Sequence, residues 1–251
     1  MNFTIVIPAR LNSSRLPRKA LLLLKGKPMI ARVVETALSV GALRVVVATD
    51  SVEISAALAD YPVACVMTDP MLASGTDRIA AAVAELGLAD SELVVNLQGD
   101  EPLTPPACVR QLAELLHATP DAALASLCAP IVEIEELFNP HVVKVVRDAQ
   151  GFALYFSRAP IPWARDAFAH SRAQMPESTR YFRHIGMYAY RVGFLRAFKA
   201  LSVAPLEHAE SLEQLRALYH GYRIVLAPAN APVHAGVDTQ ADVERVLALL
   251  G

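Results

Sequence analysis

The 251-residue sequence has few of the features that mark several classes of protein. It has three cysteines, Cys65, Cys108 and Cys128, which lie far apart and form no CxxC pair. Their number is odd and no pair has the spacing of a zinc site, so we expect buried thiols in a reducing compartment. The formal net charge is −2. Without a basic excess, a broad nucleic-acid interface is not expected.

Long apolar runs are also missing. The leucines at 21–24 form a run far shorter than the ~20 apolar residues that a membrane-spanning helix needs. The apolar run Phe3–Ile7 has no basic segment ahead of it, unlike a signal peptide. We therefore expect a soluble, cytoplasmic protein that makes no membrane contact.

Apolar residues make up 54% of the chain and charged residues 19%, which is enough apolar material for a sizeable core. In the first half, strand-like and helix-like patterns alternate. Alternation of this kind, with continuously apolar strands, predicts an α/β fold whose doubly wound, mostly parallel sheet is covered on both faces. The predicted strands are Phe3–Ile7, Arg44–Thr49, Val63–Met67 and Glu92–Leu97, and the predicted helices are Pro28–Val40, Ser51–Leu58, Ser74–Leu86 and Pro105–His117.

The middle of the chain has a different pattern. Val142–Val146, Phe152–Phe156 and His184–Tyr190 have the pattern of strands without long helices between them, and the polar stretch at 164–180 predicts an exposed loop. We predict a single domain over 1–251 with a small embedded antiparallel subdomain at about 128–190. The last third returns to the earlier pattern, with a helix at Glu207–Tyr219, a strand at Tyr222–Ala227 and a helix at Thr239–Leu250.

A basic segment follows the first predicted strand. In a doubly wound sheet, ligands bind beyond the carboxyl ends of the strands, so this segment is placed to bind an anion such as a triphosphate. The glycine-rich Walker and Rossmann patterns are both absent, and a solvated surface loop is the alternative. The segment carries Arg10, Ser13, Ser14, Arg15, Arg18 and Lys19.

Two acidic motifs lie far apart in the sequence. Asp100 follows an apolar strand in QGDEP, and Asp238 lies in GVDTQAD just before the last predicted helix. Magnesium prefers oxygen ligands and is usually held by one or two carboxylates plus substrate phosphates. The pair predicts a magnesium site if the two motifs converge. Taken singly, Asp100 also fits a turn and Asp238 a helix N-cap.

Together with further motifs, these segments resemble the CMP-Kdo synthetase family, the 3-deoxy-manno-octulosonate cytidylyltransferases. The resemblance extends from Ile7 to Asp242. The family usually has glycine before the lysine of the first motif and proline after it, where this chain has Arg18 and Ala20. The motifs are RxxSxRLPxK at 10–19, GKPMI at 26–30, QGDEP at 98–102, YFSRxxIPW at 155–163, HxGxYxYR at 184–191, PLEHxExLEQLR at 205–216 and GVDTxxD at 236–242.

The resemblance implies transfer of CMP from CTP to the eight-carbon sugar acid Kdo, for lipopolysaccharide biosynthesis. It implies a nucleotide-diphospho-sugar transferase-like fold, catalytic roles for Arg15, Lys19, Asp100 and Asp238, and Mg²⁺ on the two aspartates. It also implies a homodimer whose contact surface is the strand-rich middle segment. CTP would be bound by Arg10, Ser14, Lys19, Ser74, Gly75 and Arg78, the last reading the base.

The Kdo residues are likewise implied by the resemblance alone. Arg158 and His184 would meet the carboxylate of Kdo, and Gln98, Tyr188 and Glu210 its hydroxyls. Glu207 is an open alternative to Glu210. Read without the family, Arg158 also fits a surface arginine, the aromatic residues a core, and the glutamates a solvated helix face.

Three other functions compete with this one. A cytidylyltransferase for another sugar acid, such as an acylneuraminate, would share the first motif. A nucleotidyltransferase for a neutral sugar phosphate is a further enzyme class. A nucleotide-binding regulator without catalysis is the third, and the presence of both aspartates weighs against it.

Overall fold

The computed structural model describes residues 1–13, 16–72 and 74–250. The strands are β1 Thr4–Ala9, β2 Leu23–Leu24, β3 Lys27–Pro28, β4 Arg44–Thr49, β5 Ala64–Met67, β6 Leu93–Asn96, β7 Leu124–Ile131, β8 Lys144–Arg147, β9 Ala153–Ser157, β10 Tyr181–Arg191 and β11 Ile224–Pro228. The α-helices are α1 Met29–Ser39, α2 Val52–Ala56, α3 Gly75–Glu85, α4 Pro106–Ala118, α5 Ile134–Phe138, α6 Arg165–His170, α7 Val192–Phe198, α8 Pro205–Glu210, α9 Gln214–Tyr219 and α10 Gln240–Leu249.

The main sheet has the strand order β11-β7-β10-β6-β1-β4-β5. β1 pairs in parallel with β4 and β6, β4 with β5, and β7 with β11. Only β10 in this row runs against its neighbours, pairing antiparallel with both β6 and β7. The predicted mostly parallel α/β sheet is confirmed. It places the loops after β1, β4 and β6 at one edge.

Alternate residues of β1 enter two separate cores. Ile5 and Ile7 pack in a cluster with residues of α1 and α4, whereas Val6 packs with residues of α3 and α7. All three side chains are 0% exposed. A strand buried on both faces favours a nearly continuous apolar run, which explains why the sequence of β1 shows no alternation.

The middle of the chain adds antiparallel pairing beside β10. β8 pairs with β9, and Lys144 of β8 pairs with Arg183 of β10. The Lys144 side chain is fully buried, and its ammonium donates to the carbonyl oxygens of Asn139 and Val142 at 2.9 and 2.7 Å. Burial lowers the pKa of Lys144. The subdomain predicted at about 128–190 stays a prediction. Of the strands in that range, β10 is part of the main sheet.

Two sequence predictions were wrong in detail, and one strand was missed. β7 was missed, because its run LASLCAPI contains small residues and a proline that mask the strand pattern. The loop predicted at 164–180 contains α6, which buries Phe168. The single helix predicted at 207–219 is two helices, α8 and α9, because Ser211 adopts a left-handed conformation with φ of 52°. Among the described helices, none is long and apolar enough to cross a membrane.

The double burial of β1 predicts a large effect of truncation there. Ile5→Ala removes a side chain that is 0% exposed, whereas Leu43→Ala trims one that is 63% exposed. We expect Ile5→Ala to lower the free energy of unfolding by about 2–5 kcal/mol, because a cavity is left in the core. Leu43→Ala should change it by no more than about 0.5 kcal/mol. Urea denaturation followed by circular dichroism measures both, and equal effects would contradict this account of the core.

Candidate active site

A cleft of about 350 Å³ opens at the edge where β1, β4 and β6 end. It is formed by the loop after β1, the start of α3, the turn after β6 and the segment before α10. Among the residues that line it are Arg10, Lys19, Ser74, Gly75, Arg78, Gln98, Asp100 and Asp238, all of them predicted site residues. The predicted residues Ser14 and Arg15 lie outside the described residues.

At the floor of the cleft, Lys19 bridges the two aspartates. Its Nζ donates to Oδ2 of Asp100 at 2.6 Å and to Oδ1 of Asp238 at 3.0 Å. Burial lowers the pKa of Lys19, but the hydrogen bonds and charges of Asp100 and then Asp238 outweigh burial and raise the pKa above its usual value. The two motifs therefore converge, as predicted, and they converge on a cation.

Backbone contacts bring Asp238 to Asp100. The Val237 N–H donates to the Asp100 carbonyl at 2.8 Å. A Cβ on Gly236 would lie 3.3 Å from that carbonyl oxygen and from Cγ of Glu101, so a side chain there would crowd the approach. Asp238 is not the N-cap of α10, because Thr239 caps this helix in a capping box with Asp242. The Asp238 carboxylate is thereby left to face Lys19.

Glu101, next to Asp100, faces inward. Burial, with a smaller contribution from the charge of Asp100, raises its pKa to about 7. Its Oε2 accepts a hydrogen bond from the Thr104 hydroxyl at 3.2 Å, which lowers the pKa in part. Glu101 therefore packs behind Asp100 as a carboxyl group that is only partly ionised near neutral pH.

The start of α3 forms one wall of the cleft. Ser74 caps the helix: its Oγ accepts from the Asp77 N–H at 3.1 Å and donates to the Asp77 carboxylate at 2.9 Å. This capping box confirms the predicted helix start. A Cβ on Gly75 would lie 3.8 Å from the side-chain amide of Gln98, so Gly75 and Gln98 are neighbours in the lining of the cleft.

Arg78 is held in place by a residue that sequence reasoning missed. Its guanidinium pairs with Oδ2 of Asp50 at 3.4 Å and hydrogen-bonds to the Thr68 hydroxyl. Oδ1 of Asp50 accepts from the backbone N–H of Leu11 at 3.0 Å. One carboxylate thus ties the first loop to Arg78. The sequence did contain a signal for Asp50, because this residue directly follows the buried parallel strand β4. Asp100 has a similar position, four residues after the end of β6.

Four of the predicted Kdo residues are not among those that line this cleft: Arg158 directly follows β9, His184 and Tyr188 lie on β10, and Glu210 is the last residue of α8. Glu210 accepts hydrogen bonds from the Ser157 hydroxyl at 2.6 Å and the Arg158 backbone N–H at 2.9 Å. The Arg158 guanidinium donates to the carbonyls of Glu210 and Pro140. Glu207 instead pairs with Arg216 at 2.5 Å, which lowers its pKa. Glu210, not Glu207, is therefore the glutamate next to Arg158.

His184 and Tyr188 share one face of β10, with ring centroids 5.5 Å apart. Tyr188 pairs across the sheet with Asn96, the last residue of β6, which places this face next to Gln98. Tyr188 also lines a cavity of about 180 Å³ with Thr76 and Glu213.

His184 is bound to Ser126 through its Nε2 at 2.8 Å. The Ser126 hydroxyl lies within 3.0 Å of the carbonyl oxygens of Ile185 and Met187, so its proton is donated to one of them. Because the hydroxyl has only this one proton, its contact with His184 is one in which the Ser126 oxygen accepts and a protonated Nε2 donates. Burial lowers the pKa of His184 to about 3, so the imidazole is neutral near pH 7 and its Nδ1 is an acceptor.

Known proteins that are similar to this chain match it over nearly all of its length. A family model described as Cytidylyltransferase matches residues 4–224. A protein of Nitrosococcus oceani named 3-deoxy-manno-octulosonate cytidylyltransferase is 53% identical over 251 residues, which is 100% of this chain and 97% of that protein. A protein of Pseudomonas fluorescens with the same name is 54% identical over 248 residues, 99% of this chain and 98% of its own length.

The chain belongs to the 3-deoxy-manno-octulosonate cytidylyltransferase family. It is a nucleotidyltransferase. A solved structure of CMP:2-keto-3-deoxy-manno-octonic acid synthetase complexed with CTP has a TM-score of 0.90 and 41% identity, and the match covers 100% of this chain and 98% of that chain. 4-Diphosphocytidyl-2C-methyl-D-erythritol synthase, with a TM-score of 0.63 and 14% identity over 100% of this chain and 99% of that one, shares the fold.

The geometry of His184 makes a prediction that needs no substrate. We expect its imidazole to stay neutral, with the proton on Nε2, as the pH falls from 8 to 5, since burial lowers its pKa to about 3. Two-dimensional ¹H–¹⁵N NMR of the histidine rings measures the tautomer and its titration, and His184→Gln assigns the signal. A His184 ring that titrates near the ordinary value of ~6.5, or that carries its proton on Nδ1, would contradict the hydrogen-bond assignment.

Proposed function

We propose that this enzyme transfers CMP from CTP to Kdo, giving CMP-Kdo and pyrophosphate for lipopolysaccharide biosynthesis. The observation that carries the proposal is the meeting of Asp100, Asp238 and Lys19 in the cleft at the strand ends, which Arg10 also lines. Its support from comparison is the full-length relatives named for this activity.

On the nucleotide side, the triphosphate would lie against Arg10 and Lys19, with Ser14 and Arg15 of the same loop contributing. Opposite charges this close are worth several kcal/mol, roughly 4 at 4 Å in a partly buried site. The cytosine and ribose would meet the start of α3 at Ser74, Gly75 and Arg78. Because Asp50 and Thr68 hold Arg78 on one side, its guanidinium is fixed before the nucleotide arrives.

Magnesium fits the pair of aspartates. Two carboxylate oxygens from different loops already converge on one cation, the Lys19 ammonium. Over the described ranges, no group of three or more histidine, cysteine or acidic side chains gathers to hold a metal. Two carboxylates completed by substrate phosphates is the arrangement that magnesium usually takes. When bound, the ion would neutralise charge on the phosphates and lower the pKa of the attacking hydroxyl.

The reaction is an in-line attack of the anomeric hydroxyl of Kdo on the α-phosphorus of CTP. The new bond joins that oxygen to the α-phosphorus, the bond to the β-phosphate oxygen breaks, and the hydroxyl proton passes to solvent. Lys19 and Arg10 stabilise the negative charge that grows on pyrophosphate. The remaining contribution is positioning, because attacking and leaving groups must be aligned in one cleft.

On the sugar side, we propose that Arg158 supplies the positive charge that meets the Kdo carboxylate. His184, being neutral, then contacts Kdo as an acceptor at Nδ1 and not as a cation. Gln98, Tyr188 and Glu210 bind hydroxyls. The packing of His184 against Phe156, with ring centroids 4.9 Å apart, fixes the imidazole plane for that contact.

We further propose a homodimer in the cytoplasm. The strand-rich middle segment exposes large apolar side chains, with Leu154 on β9 62% exposed and Trp163 47% exposed. A second copy that covers this surface would remove both from water. Cys65, Cys108 and Cys128 are all free thiols, which suits a reducing compartment.

The proposed reaction is tested by its products. Purified enzyme with Mg²⁺ is given each of the four nucleoside triphosphates with Kdo, and CTP with N-acetylneuraminate or with a neutral hexose phosphate. We expect pyrophosphate release and CMP-Kdo, detected by mass spectrometry, with CTP plus Kdo. Faster turnover of N-acetylneuraminate would favour the acylneuraminate alternative. Nucleotide binding without pyrophosphate release from any pair would favour the regulator.

The role of Asp100 is tested by Asp100→Asn, which keeps its size and removes the charge. We expect kcat to fall by about 100-fold or more, the usual effect of removing one transition-state charge contact. Asp60→Asn is the matched control, because Asp60 is exposed and outside the cleft. Both variants should keep the wild-type unfolding midpoint. A kcat for Asp100→Asn close to that of the control would remove Asp100 from the reaction.

A further inference from the structure

We infer that Lys19 is a competing cation: its ammonium occupies the place of the metal between Asp100 and Asp238 until a nucleotide draws it onto the phosphates. The inference rests on the proposed function, since it concerns the order in which the metal and CTP enter the same cleft.

The contacts of Lys19 are those of a bound cation, not of a surface ion pair. Nζ lies 2.6 Å from Asp100 and 3.0 Å from Asp238, and the Lys19 side chain is only 15% exposed. The Asp100 and Asp238 side chains are more open to solvent, at 33% and 46% exposed, so the ammonium is the enclosed member of the cluster. The two carboxylates repel each other, and Lys19 lies between them and neutralises part of that charge.

Lysine and a divalent ion cannot share these oxygens in this geometry. Magnesium needs carboxylate oxygens at about 2.0–2.1 Å, in the space that the ammonium fills, and two cations this close repel strongly. Metal binding at the pair therefore requires Lys19 to leave. The ammonium, once displaced, needs another anion, and the triphosphate of CTP supplies one in the same cleft.

The movement needs only the side chain. The backbone of Lys19 is fixed in a single 3₁₀ turn, with the Leu22 N–H donating to the Lys19 carbonyl at 3.1 Å and the Leu21 N–H to the Arg18 carbonyl at 2.9 Å. The four-carbon stem of lysine carries a point charge that changes partners by rotation about its bonds. Arg10 and Ser13 line the same cleft, and phosphates bound next to them would be the new partners of the ammonium.

Two consequences follow for binding. A divalent ion binds the free enzyme weakly, because it must first displace a paired ammonium. The metal and CTP then bind cooperatively. CTP draws the Lys19 ammonium away from the carboxylates, which frees them for the metal, and the metal frees the ammonium for the phosphates; such coupling is reciprocal. Replacing Lys19 by an uncharged side chain should tighten metal binding to the free enzyme while weakening the binding of CTP.

The experiment titrates Mn²⁺, read by electron paramagnetic resonance, into the full-length enzyme without nucleotide or Kdo, so that no turnover contributes. We expect Lys19→Met to bind Mn²⁺ at least tenfold more tightly than wild type. Arg10→Met is the matched control, since it removes one positive charge from the same cleft, and its gain should stay below threefold. Lys19→Gln repeats the test with a polar side chain of similar length if Lys19→Met does not fold.

An affinity of Lys19→Met equal to or below wild type would overturn the inference. An equal gain in Arg10→Met would also overturn it, because the effect would then come from the general field of the cleft. The double variant Lys19→Met with Asp100→Asn must lose the tight binding. Mn²⁺ retained there would place the metal elsewhere, against the inference.

Failure of the proposed function has a different signature. If CTP and Kdo give no CMP-Kdo but Lys19→Met still binds Mn²⁺ tightly, the competition stands and the proposed reaction is wrong. If CMP-Kdo forms but Lys19→Met shows no gain, the reaction stands and the competition is wrong.

Discussion

The charge balance among Lys19, Asp100 and Asp238 is the constraint on which the rest of the site depends. The two carboxylates come from distant parts of the sequence and would repel each other without a cation between them. The Val237 N–H bond to the Asp100 carbonyl and the lack of a side chain at Gly236 bring the segments together. The backbone therefore holds a pair of like charges together, with the Lys19 ammonium as the cation between them.

The same edge of the sheet is tied together by a second carboxylate, that of Asp50. It binds the Leu11 N–H of the first loop with one oxygen and Arg78 of α3 with the other. The loop after β1 and the start of α3 are distant in sequence. Pairing in the sheet aligns the strands but does not by itself fix the distance between this loop and this helix. Asp50 fixes the distance between them, so the width of the cleft is set by an ion pair that is buried on both sides.

The sequence predicted the parallel half of the fold well, because β1, β4 and β6 are each built around a continuous apolar run. It did not predict β7, whose small residues and proline mask the strand pattern, or the break at Ser211, which depends on contacts that the local sequence does not show. Ser211 turns the chain so that Glu207 can pair with Arg216 while Glu210 binds Ser157, and no local pattern carries that information. Asp100 and Asp238 were predicted to meet, but that Lys19 lies between them follows only from three-dimensional proximity.

The sugar side of the site differs from the nucleotide side in how it holds positive charge. The Arg158 guanidinium donates to the Glu210 and Pro140 carbonyls, which are dipoles without net charge. The Glu210 carboxylate is used instead by the Ser157 hydroxyl and the Arg158 backbone. Within the described part of the chain, Arg158 thus forms no direct ion pair, whereas Lys19 and Arg78 do. An arginine oriented by neutral carbonyl oxygens is a better partner for an incoming anion than one already paired with a carboxylate, and the role proposed for Arg158 toward a sugar acid rests on this difference.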